Sequence, residues 1–71
     1  MKDIGERIRA ARLAARLKLT TVAYGSGVST QSVHGWETGK TSPLASRVPR
    51  LASTLGVNVE WLMTGKGRRK P

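Results

Sequence analysis

No segment of this 71-residue chain alternates polar and apolar residues with period two. Apolar residues recur instead at spacings of three and four, in short runs that close on glycine, which is the pattern of amphipathic α-helices. Helices this short are marginal in isolation, so each must bury its single apolar stripe against the others. The chain is therefore expected to form one all-α domain of five short helices, near the lower size limit for a self-sufficient core.

The first helix is expected over Ile4 to Arg16. Asp3 serves as its N-cap, Glu6 stands three positions on, and Ile4, Ile8, Ala11 and Ala15 form one face. A second helix contains Leu17, Val22 and Ala23 and ends at Gly25 or Gly27. Its start is poorly marked, because Lys18 is a weak cap and Thr20 is the alternative. A third helix opens at Ser29 as N-cap, turns Val33 and Trp36 inward, and closes on Gly39. A fourth, with Ser46 as cap, places Pro49 at the third helical position, where its missing N–H costs no helical bond. Val48, Leu51, Ala52 and Leu55 are its buried face and Gly56 ends it. The fifth runs from an Asn58 cap to about Gly65. The last residues, 66–71, carry no apolar side chain beyond Pro71 and are expected to be a disordered basic tail behind a domain of residues 1–65.

Composition removes several functions. There is no cysteine, and one histidine with four acids (Asp3, Glu6, Glu37, Glu60) offers neither a metal cluster nor an acid/base pair. A chain this small has little room for an enclosed pocket, so neither a small-molecule ligand nor a cofactor is expected, and an enzyme is the least supported class. No apolar run is long enough for a membrane span, which leads to the expectation of a cytoplasmic protein. Thirteen Lys and Arg against those four acids give a net charge of +9, more than solubility requires. Such a surface suits a polyanion, whose condensed counterions are released on binding. The positives are scattered over several segments instead of lining one long helix, which argues against a membrane surface.

The second and third helices carry the most specific signal. In a unit beginning at Leu19, Ala23, Gly27, Val28, Val33 and Trp36 stand at positions 5, 9, 10, 15 and 18. Two helices crossing steeply through a tight turn need a small residue at the crossing, here Ala23. They need a positive φ in the turn, which Gly27 adopts without steric cost. Val28, Val33 and Trp36 then anchor the third helix so that its opposite face points outward. This is a helix-turn-helix. A generic helical hairpin with a glycine turn is the weaker alternative.

With "IGERIRAAR", "GVSTQSVHGWETGKTSP" and "LASTLGVNVEWLMTG" in view, the chain resembles the Cro and repressor-type helix-turn-helix proteins of phages and bacteria. The resemblance covers about residues 4–65, and the runs Trp36-Glu37-x-Gly39-x-x-x-Pro43 and Leu55 to Leu62 are specific to it. It implies a lambda-repressor-like fold of five helices, most like a short Cro, that binds palindromic operator DNA as a homodimer and represses transcription in a bacterial cytoplasm at the nucleoid.

Carried across position by position, the third helix would lie in the major groove. Thr30, Gln31, His34 and Gly35 would face bases, with Gln31 the leading reader because its amide can pair bidentately with adenine. Lys18, Ser29, Ser32, Thr38, Lys40, Thr41 and Ser42 would touch the DNA backbone, with Ser29 also capping its helix; Arg47 and Arg50 are weaker candidates. The usual Thr or Ser followed by Gln at the start of the second helix is replaced here by Lys18 and Leu19. Relatives often carry a long polar reader where this chain has Gly35. Either the helix backbone approaches the bases there or the contact is forfeited. Arg12 and Glu37 occupy places where the family commonly forms a partly buried ion pair.

A two-fold dimer would space its half-sites about 34 Å apart. The helix 4–5 region is the expected interface, with Val57, Val59 and Met63 as candidates and Trp61 and Leu62 left to the core. Two other classes stay open: a protein-binding adaptor such as an antitoxin, and a nonspecific nucleic-acid binder driven by charge.

Overall fold

A computed structural model describes residues 3–71. Five α-helices follow in order: α1 (Ile4–Ala14), α2 (Leu19–Ser26), α3 (Thr30–Thr38), α4 (Val48–Leu55) and α5 (Val59–Thr64). A single 3-10 turn, Ala45–Arg47, leads into α4, and the described residues include no strand. The all-α, five-helix expectation is met.

The caps explain most of the boundaries. Asp3 Oδ1 accepts from the Glu6 N–H at 2.9 Å and starts α1. Ser29 Oγ accepts from the Ser32 N–H at 3.1 Å and starts α3. Lys18 precedes α2 without any side-chain cap. Gly27, Gly39, Gly56 and Gly65 take left-handed conformations at the ends of α2 to α5. The end of α1 differs. The helix stops at Ala14, two residues short of the expected end, and Arg16 takes φ 59° without being glycine. Ala15, expected on the buried face, lies past the helix and is exposed.

Pro49 also behaves differently from expectation. Ser46 lies inside the 3-10 turn instead of capping α4. Pro49 has no N–H to donate to Ala45, so the chain ahead closes with three-residue bonds, Arg47 N–H to Leu44 O and Val48 N–H to Ala45 O. The α-helix begins only at Val48, with Pro49 in its first turn.

The core gathers Ile8 and Ala11 from α1, Val22 and Ala23 from α2, and Val33 and Trp36 from α3. Val48, Leu51, Ala52 and Leu55 join from α4, and Trp61 and Leu62 from α5. Two close approaches fix how the helices cross. A Cβ at Gly5 would fall well inside contact distance of the Trp36 carbonyl oxygen, so α1 lies against the α3 backbone with no room for a methyl group. A Cβ at Gly25 would meet the Thr54 side chain at 2.6 Å, which brings α2 and α4 almost as near.

The expectations for Val57 and for the tail are also corrected. Val57, a candidate interface residue, is 6% exposed and belongs to the core, because it closes the α4–α5 turn inward. The basic tail is docked. The Asn58 backbone N–H donates to Arg69 O at 2.8 Å, and its side-chain amide donates to Arg68 O and Lys70 O. Asn58 therefore holds the tail and leaves α5 without a side-chain cap. Arg69 lies over the Trp61 ring, 5.2 Å from its centroid, and donates to Ala10 O.

Candidate nucleic-acid interface

The inner side of α3 is fixed by its neighbours. Val33 is fully buried, Trp36 is 6% exposed, and Ala23 sits at the crossing with α2 at 3%. Gly27 makes the turn at φ 73°, and Val28 packs partly buried against the core. At the end of α3, Arg12 Nε donates to Glu37 Oε2 at 2.7 Å, and a second guanidinium nitrogen donates to Oε1 at 3.0 Å. The third nitrogen donates to Leu17 O, at the approach to α2. One arginine thus joins α1, the end of α3 and the segment leading into α2. Its pKa is raised by the hydrogen bond to Glu37 and by that charge, against the opposing effect of burial.

The outer side is different. Thr30, Gln31, His34 and Gly35 line an open groove together with Leu19 of α2 and Lys40 of the following loop. Gln31, His34 and Lys40 are exposed, and their side chains make no hydrogen bond or ion pair among the described residues. Their donors and acceptors are available to a ligand.

The candidate backbone contacts fall into two sets. Ser29 Oγ caps α3 and lies 3.0 Å from Ser32 Oγ, while Thr38 Oγ1 donates to His34 O at 3.0 Å. Those three hydroxyls already serve the helix. Lys18, Lys40, Thr41 and Ser42 are exposed and their side chains are uncommitted among the described residues. Arg47 and Arg50 are turned to the helix-turn-helix itself. Arg50 Nε donates to Gly25 O at 2.7 Å and an Arg47 nitrogen donates to Gly27 O at 3.4 Å, covering carbonyls at the end of α2.

Arg7 was not singled out by the sequence. It is 4% exposed and donates from Nε to Leu62 O and from its terminal nitrogen to Met63 O, both at 2.7 Å. It clamps α1 to the end of α5. A signal existed: Arg7 falls between Ile4, Ile8 and Ala11 at helical spacing, on the face that must be buried. Of the remaining candidate interface residues, Val59 is 39% and Met63 48% exposed on α5. Among the described residues no group of His, Cys, Asp or Glu could hold a metal ion, and no helix is long and apolar enough to cross a membrane.

The family described as "Helix-turn-helix domain" matches residues 3–62. The chain belongs to the helix-turn-helix family. It is a family of DNA-binding transcriptional regulators and not of enzymes. Among solved structures, this helix-turn-helix chain is similar to the P22 c2 repressor protein in complex with synthetic operator 9T. That match has a TM-score of 0.85 at 27% identity and covers 93% of this chain and all of that one (100%). It is also similar to the restriction-modification controller protein C.AhdI from Aeromonas hydrophila, with TM-score 0.79, 30% identity, and 84% and 91% of the two chains covered. The solution structure of the P22 c2 DNA-binding domain shares the fold, with TM-score 0.82 at 24% identity. An uncharacterized HTH-type transcriptional regulator of Haemophilus influenzae is 37% identical over 44 residues. The match covers 62% of this chain and only 18% of that relative's length.

Proposed function

We propose that this protein is a sequence-specific transcriptional repressor of the Cro type, which binds a palindromic operator in double-stranded DNA as a homodimer with α3 in the major groove. The observation that carries the reading is the division of α3. One side is locked into the core, while Thr30, Gln31, His34 and Lys40 stand around an open groove on the other. The net charge of +9 supports a polyanionic partner, and the similar P22 c2 repressor was solved with operator DNA. Gln31 reads a base, with adenine the best match to its amide. Thr30 and His34 read or line the groove beside it. Lys18, Lys40 and Ser42 hold phosphates, and the hydroxyls of Ser29, Ser32 and Thr38 accept secondary contacts while keeping their bonds within α3. No cofactor is required, and the site of action is the bacterial cytoplasm, at the nucleoid.

The second protomer docks through α5, where Val59 and Met63 remain exposed. Selection of bound sites from random duplex DNA at controlled salt tests this reading. A recovered palindrome supports a dimeric reader. The absence of any enriched motif would overturn it in favour of an adaptor or a bulk nucleic-acid binder. Gln31→Ala should cost about 1–3 kcal/mol on the preferred site and little on random DNA. Lys40→Ala should weaken all sequences alike and flatten the salt dependence by about one unit.

A further inference from the structure

We propose that the hydroxyl of Thr41, from the loop after α3, is the specificity contact at the place where the helix has glycine. The proposal rests on the reading of α3 as the DNA-facing helix. Gly35 lies one turn after Gln31 and beside His34, within the groove those residues line. Its α-carbon carries nothing, yet the space in front of it is taken. A Cβ built there would sit 2.9 Å from Thr41 Oγ1, closer than real Cβ atoms come to such neighbours.

The loop is drawn to this point by one acceptor. The Gly35 carbonyl accepts from the Lys40 N–H at 3.0 Å, the Thr41 N–H at 3.3 Å and Thr38 Oγ1 at 3.3 Å. Gly39, at φ 81°, turns the chain back so that these donors converge. The result sets Thr41 Oγ1 over the helix, against a residue of the groove wall, while Lys40 lines the same groove.

The Thr41 side chain is exposed and its hydroxyl makes no hydrogen bond among the described residues. It therefore keeps one donor and two acceptor sites. A hydroxyl serves either an acceptor or a donor on a base edge, and the threonine methyl group fits the methyl of thymine. The family resemblance implies a DNA-backbone contact for Thr41. Its position against Gly35, one helical turn after Gln31, assigns it instead to the contact that Gly35 would otherwise make with bare backbone or forfeit. Glycine at 35 is the vacancy that lets a loop residue read.

The experiment selects sites from random duplex DNA for the wild type, Thr41→Val, Thr41→Ser, Gly35→Ala and Gln31→Ala, with affinity measured against salt. Thr41→Val keeps the shape and removes only the hydroxyl. It should lose preference at one base pair per half-site and weaken the selected site about tenfold, with random-DNA affinity and salt slope unchanged. Thr41→Ser should keep the preference. Gly35→Ala, which pushes the hydroxyl aside, should disturb that same base pair. Uniform weakening of Thr41→Val on all sequences, with a salt slope about one unit smaller, would mark a phosphate contact and overturn the proposal. Unchanged selected sites for Thr41→Val, with Gln31→Ala still altering them, would overturn it while sparing α3 as reader. No motif even for the wild type would overturn both.

Discussion

The two sides of α3 are made from different kinds of residue held by different kinds of force. On one side Val33 and Trp36 are buried, the Trp36 carbonyl lies against Gly5 of α1, and Glu37 receives two hydrogen bonds from Arg12. On the other, Gln31 and His34 are exposed, with uncommitted side chains. The face that carries stability and the face proposed to read DNA thus lie on opposite sides of the same nine residues. A change on the first face should be felt as unfolding, and a change on the second as altered binding.

The strongest way to break that division is to disturb the locked side. Arg12→Ala leaves Glu37, whose side chain is 4% exposed, without its partner. The expected loss is on the order of 3–5 kcal/mol in denaturant unfolding, because an unpaired buried charge remains. Replacing the pair together, as in Arg12→Met with Glu37→Leu, should cost far less. If the single and double variants lose the same stability, the pairing is not what joins α1 to α3.

Gly5→Ala comes next. The obstacle is a backbone oxygen, which has no alternative rotamer, so the helices must separate. About 2–3 kcal/mol should be lost in the same measurement, toward the upper end of what overpacking usually costs. Arg7→Met should cost about 1–3 kcal/mol by uncovering the Leu62 and Met63 carbonyls, and should do so without changing which DNA sites are selected. The smallest effects belong to the open side. Gln31→Ala and Lys40→Ala should each change unfolding stability by less than about 0.5 kcal/mol. A larger change in either would mean that the open face of α3 also supports the fold.

The same division explains what could be read from the sequence. Asp3, Ser29 and the glycines at 27, 39, 56 and 65 mark element ends by local chemistry, and they do so with no knowledge of the tertiary fold. The anchors Val33 and Trp36 follow from helical spacing. Val57 misled because a turn residue has no periodicity to show which way it faces. Arg7 was masked by its charge, although its spacing placed it in the buried seam. The tail misled for a different reason. Its composition lacks apolar groups, but it is held through its backbone carbonyls, which every residue carries, and by one arginine over an indole. The contact between Gly35 and Thr41 depends on how the loop returns after Gly39, a geometry that no spacing rule contains.

The Arg69–Trp61 contact also divides the molecule optically. The chain has two tryptophans, Trp36 at the anchor of α3 and Trp61 under the tail. Each indole is mostly buried, and the two report on separate places. With Trp36→Phe, the fluorescence of Trp61 becomes a signal for whether the last residues are seated. With Trp61→Phe, Trp36 reports on α3 alone. A titration with DNA followed through both variants would then tell whether the seating of the tail and the surroundings of α3 change together.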